Sequence, residues 1–118
     1  QRYELEAWLG DDHGLDGDEF NELIAEADEI NERYPDEDDQ AERDAALTVA
    51  YRLMTEPVED VLADSGTQRS DARAAESAAS AGLQQAARTL VTGGKLSEAG
   101  FARAAKVDRM TVRKWLGK

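Results

Sequence analysis

The side chains able to do chemistry in this chain of 118 residues are almost all carboxylates and cations, with 26 Asp and Glu, 14 Lys and Arg, one histidine and no cysteine. Thiol chemistry, disulfides and cysteine-ligated metal are therefore excluded, and a lone His13 does not make a zinc site. Two acidic clusters invite a metal. Asp12, Asp16 and Gly17 fall at positions one, five and six of an EF-hand loop, but position eight is Glu19 instead of an aliphatic residue. Position twelve is Leu23, so the bidentate carboxylate is missing. The other cluster, Asp36, Asp38 and Asp39, would need two positioned carboxylates for metal-assisted hydrolysis; a charge run of that kind is ordinarily a solvated, helix-capping segment. No metal, cofactor or enzymatic activity is expected. His13 is expected to be a solvated loop residue.

The cations tell more once the charge is split along the chain. Residues 1 to 64 carry 22 acids against 4 Arg, net −18, whereas residues 65 to 118 carry 4 acids against 10 Lys and Arg, net +6. A whole-chain pI of 4.4 argues against a polyanion partner, but binding follows the potential within about one Debye length, ~8 Å at physiological salt. The basic end must be judged separately. Acid spread evenly would indicate adaptation to high salt; acid confined to one half does not. No apolar run is long enough to cross a bilayer and no signal peptide leads the sequence, so a cytoplasmic protein is expected.

The elements that would position these groups are read from hydrophobic spacing. Tyr3, Leu5, Ala7 and Leu9 alternate as in a half-buried strand, although Glu4 to Ala7 are good helix formers; the alternation favours a short strand over residues 1 to 9. Asp16 with Glu19 makes a capping box, and Leu15 with Phe20 a hydrophobic staple, ahead of an amphipathic helix over residues 18 to 33. Pro35 stops it, and Asp36 can cap a second helix that runs to about Thr55, giving an acidic helical hairpin. A short third helix over 56 to 63 begins near Pro57. Asp64 to Thr67 then breaks the apolar pattern where the charge changes sign, which places a boundary between regions 1 to 64 and 65 to 118.

Beyond that boundary an alanine-rich helix over 68 to 92 carries a stripe of Ala75, Ala79, Leu83, Ala86, Leu90 and Val91, with a bend allowed at Gly82. Its N-terminal part could lie on the acidic half or form a dimer seam. Gly93 and Gly94 end it, and Ser97 caps the next helix. Six apolar residues in the last stretch have the spacing of two crossing helices: Phe101, Ala102 and Ala105, then Val107 in a turn, then Val112 and Trp115. Ala102 is small enough for close approach, and Asp108 is placed to cap the final helix.

This stretch resembles a helix-turn-helix of the resolvase or homeodomain-like type. The resemblance covers about the last 50 residues, bracing helix included, and none of the acidic half. One position departs from the pattern: the residue before Val107, often glycine because its backbone tends to positive φ, is Lys106, at a cost of about 1 kcal/mol. The resemblance implies an all-α protein whose last helix lies in the major groove. With Val112 and Trp115 inward, Arg109, Met110 and Arg113 become the candidates for base edges, since an arginine fork matches O6 and N7 of guanine and Met110 can touch a thymine methyl. Lys95, Arg103, Lys106, Thr111 and Lys114 are the candidates for phosphate contacts.

The function expected from these residues is sequence-specific binding of double-stranded DNA by a homodimeric, nucleoid-associated regulator of bacterial or phage type. The alanine and arginine content fits a high-GC genome. The acidic half has three competing roles: an oligomerisation or protein-partner unit, an autoinhibitory or DNA-mimicking surface, or part of an adaptor for a mobile element in packaging, partition or recombination.

Overall fold

The computed structural model describes residues 2–118, and every regular element among them is helical. The helices are α1 (Arg2–Leu9), α2 (Gly17–Arg33), α3 (Gln40–Thr55) preceded by a 3-10 turn at Glu37–Asp39, α4 (Val58–Leu90), α5 (Glu98–Ala105) and α6 (Arg109–Trp115). The chain divides into two compact units, residues 1–66 and 67–118.

In the first unit the expected strand over residues 1 to 9 is instead α1; Gln1 lies outside the described residues. Leu5 and Leu9 sit one helical turn apart, so a single helical face delivers both to the core without the ladder partner that a lone strand would lack. Tyr3, on another face, is left exposed. The core joins Leu5 to Phe20, Leu23 and Ala50, with Leu15, Ile24, Leu47, Tyr51 and Met54 packed around them, and α2 lies against α3.

Local polar groups fix the ends of these helices. Asp16 accepts the Glu19 N–H at 2.8 Å while the Glu19 carboxylate accepts the Asp16 N–H at 3.0 Å, a complete capping box. Asp36 caps differently from expectation: its side chain makes no cap bond, and its carbonyl accepts from the Asp39 N–H and from Arg43. His13 is half-buried and not merely solvated. Its Nδ1 accepts the Leu15 N–H at 2.9 Å, its carbonyl accepts the Tyr51 hydroxyl at 2.6 Å, and its ring packs beside Phe20. Arg52 spans the turn between α3 and α4, donating to Glu56 at 2.8 and 2.9 Å and to Asp64 at 2.7 Å. Those bonds hold the Glu56 carboxyl below its ordinary pKa and raise that of Arg52.

The expected short helix over 56 to 63 and the break at Asp64 to Thr67 are replaced by one continuous α4, which passes through Gly66 and Gly82. An interior glycine costs about 1 kcal/mol relative to alanine, whereas ending and restarting a helix forfeits several backbone bonds and a new nucleation, so continuity wins. The alanine stripe also packs over less of its length than its spacing implies. Ala75 and Ala79 are exposed, and burial begins at Leu83.

In the second unit α4 ends in a Schellman turn: Lys95 N–H bonds the Leu90 carbonyl at 2.8 Å and Gly94 N–H the Val91 carbonyl at 3.0 Å, with Gly94 at φ +75°. A side chain at Gly93 would collide with the Thr89 carbonyl, so both glycines are required. The core gathers Ala87, Phe101, Ala102 and Val112, with Leu83, Ala86, Leu90, Val91, Ala105, Val107, Trp115 and Leu116 around it.

Candidate functional site

The six apolar residues chosen from their spacing meet in one cluster: Phe101, Ala102 and Val112 are buried, and Ala105, Val107 and Trp115 pack against them. Three local devices set the path from α5 to α6. Ser97 Oγ accepts the Gly100 N–H at 3.0 Å and starts α5. Lys106 then adopts the left-handed conformation at φ 58° and ψ 40°, the only non-glycine among the described residues at positive φ, and the Val107 N–H returns to the Ala102 carbonyl at 3.1 Å. Finally, Asp108 Oδ1 accepts the Thr111 N–H at 2.7 Å and starts α6. That bond, with further help from the Thr111 hydroxyl, holds the Asp108 carboxyl below the usual aspartate range.

With Val112 fully inside, the opposite side of α6 faces solvent. Met110 is 71% exposed although apolar, and Arg109 and Lys114 are exposed beside it. Of the remaining expected phosphate contacts, Lys95, Arg103 and Lys106 are exposed, whereas Thr111 is half-buried and its N–H is given to the Asp108 cap. A second Schellman turn closes α6, with Gly117 at φ +80° and the Lys118 N–H on the Arg113 carbonyl at 2.9 Å, which carries Lys118 back toward α5.

One residue central to this surface has no counterpart among those chosen from sequence. Glu98, the first residue of α5, has a side chain only 13% exposed and takes three cations. Its Oε1 accepts from Arg113 Nη1 at 3.0 Å and lies 3.6 Å from Arg109 Nε, while its Oε2 accepts from Lys118 Nζ at 2.7 Å. The Lys118 and Arg113 bonds outweigh the cost of burial and bring the Glu98 carboxyl down to about 2. Of the two arginines expected at base edges, Arg113 is therefore held by a hydrogen bond to an internal carboxylate, and Arg109 lies within ion-pair distance of the same group. The sequence held one signal for this: once Asp108 is assigned as a cap, Glu98 is the only acid left between Lys95 and Lys118.

In the first unit a cleft of about 340 Å³ is lined by Leu5, Trp8, Ile24 and Leu47 with Glu4, Asp28 and Asp44. Among the described residues, no group of three or more His, Asp or Glu side chains is arranged to hold a metal ion, and no helix is long and apolar enough to cross a membrane. Comparison with protein-family models, with curated proteins and with solved structures found no match.

Proposed function

We propose that the chain is a sequence-specific double-stranded DNA-binding protein, acting as a dimeric transcriptional regulator of bacterial or phage type, with α5, the Lys106 turn and α6 as a helix-turn-helix. The observation that carries this reading is the two-sided character of α6. Val112 and Trp115 belong to the core, while Arg109, Met110 and Lys114 lie on solvent in a unit whose charge opposes that of the rest of the chain. In the major groove that face would offer Arg109, Met110 and Arg113 to base edges. Lys95, Arg103, Lys106, Thr111 and Lys114 would take phosphates, which set register and most of the salt-dependent affinity.

A dimer is supported by a separate observation in the acidic unit. Val58 and Leu62, one turn apart on α4, and Leu53 on α3 are exposed at 49%, 61% and 41%. Neighbouring apolar side chains left on solvent, as Val58 and Leu62 are, are common at association surfaces. Two copies would pair two recognition helices on a two-fold related site.

Fluorescence anisotropy of the full chain with a random-sequence 30-base-pair duplex tests the proposal. Binding should weaken steeply with salt, each phosphate contact adding about 0.9 to the slope of log affinity against log salt. Absence of binding at low salt refutes the DNA reading.

A further inference from the structure

We infer that Glu98 is a positioning residue that sets DNA specificity, by holding Arg113, Lys118 and Arg109 away from phosphates while leaving the arginine forks free for base edges. The inference rests on the proposed DNA reading and deepens it. Its basis is that one carboxylate, mostly buried at the start of α5, gathers three cations from α6 and the turn that follows it.

Glu98 discriminates among the ligands that can share those cations with it. A phosphate is an anion, so bringing one to Arg113 or Lys118 sets it against the Glu98 carboxylate, and it must either displace that group or accept like-charge repulsion. The O6 and N7 atoms of guanine are neutral acceptors and meet no such opposition. A guanidinium has five N–H donors, and Arg113 gives Glu98 a direct bond through Nη1 alone, so an unused edge of the fork remains for a base. Glu98 therefore penalises phosphate contacts, which every duplex offers, more than base contacts, which only the right duplex offers. Its bond to Arg113 also restrains a long side chain before DNA arrives, reducing the ordering cost of a bidentate contact.

The test is Glu98→Gln in the full chain, which keeps the side-chain size and removes the charge. At 0.1 M salt the variant should bind a random-sequence duplex about tenfold more tightly, with a slope steeper by about 0.9, the change expected from one added phosphate contact. Its preference for duplexes enriched by the wild-type protein from a randomised library should fall. A purely structural role predicts the opposite: weaker binding to both duplex classes and no steeper slope, and that result overturns the inference. Unchanged binding to the random duplex overturns it as well. If the wild-type protein binds duplex and Glu98→Gln gains nothing, only the role of Glu98 falls. If neither protein binds any duplex, the DNA reading falls and takes this inference with it.

Discussion

Replacing Lys106 by glycine should make the second unit more stable, although it removes a side chain. Lys106 holds φ 58°, where an L-residue suffers about 1–2 kcal/mol of crowding between Cβ and its own backbone. Glycine escapes that strain but has a more disordered unfolded chain, which costs about 0.5–1 kcal/mol. The Lys106 side chain is exposed and makes no hydrogen bond or ion pair among the described residues, so little else is lost. The net expectation is a gain of about 0.5–1 kcal/mol. Lys106→Ala is the control, because alanine keeps the Cβ and should match lysine. Urea titration followed by the indole N–H resonance of Trp115 isolates the second unit, while that of Trp8 serves as an internal reference in the first. A glycine variant no more stable than the alanine variant would refute a left-handed turn at this position. Should the turn serve DNA binding as proposed, the glycine variant will also lose about 0.9 from its salt slope, since one phosphate contact disappears.

Three further outcomes follow from the same structure. Val112→Ala empties a site that is 0% exposed; losing two methyl groups at ~0.8 kcal/mol each, plus a residual cavity term, should cost about 2–3 kcal/mol in the Trp115 urea transition, and a cost below about 1 kcal/mol would mean that Val112 is not the centre of that core. The Glu98 carboxyl lies at about 2 in the folded chain against an ordinary 4.5, so its contribution to stability is present above pH 4.5 and is lost as pH falls toward 2. The Trp115 midpoint should therefore drop over that interval, and Glu98→Gln should flatten the drop; an equal drop in the variant would contradict the pairing. Val58→Glu with Leu62→Glu places two carboxylates on the exposed apolar group of α4 and should convert a dimer to a monomer by sedimentation equilibrium, whereas an unchanged mass would exclude that surface.

The features legible in the sequence were those carried by a few neighbouring residues. The Asp16 and Glu19 box, the Ser97 and Asp108 caps and the positive φ at Lys106 all act within three or four residues, and the structure has each of them. The helical spacing from Phe101 to Trp115 likewise foretold one core. Three features were not legible, for different physical reasons. Leu5 and Leu9 satisfy both a period of two and a step of four, so only packing decides between strand and helix. Gly66 looks like a break because its local penalty is visible, while the cooperative cost of ending α4 is spread over many residues. Glu98 reaches partners 11, 15 and 20 residues away, beyond any periodicity, and the pairing exists only once α5 and α6 have crossed.

The measurement that bears most directly on base reading by α6 is the binding of Arg109→Ala with Arg113→Ala to two duplex classes: fragments enriched by the wild-type protein, and random sequence. Each arginine fork is worth about 1–3 kcal/mol of discrimination, so the double variant should lose at least about 30-fold more affinity on enriched duplexes than on random ones, with the Trp115 transition retained as evidence of folding. An equal loss on both classes would show that the two arginines supply charge alone and would contradict the account.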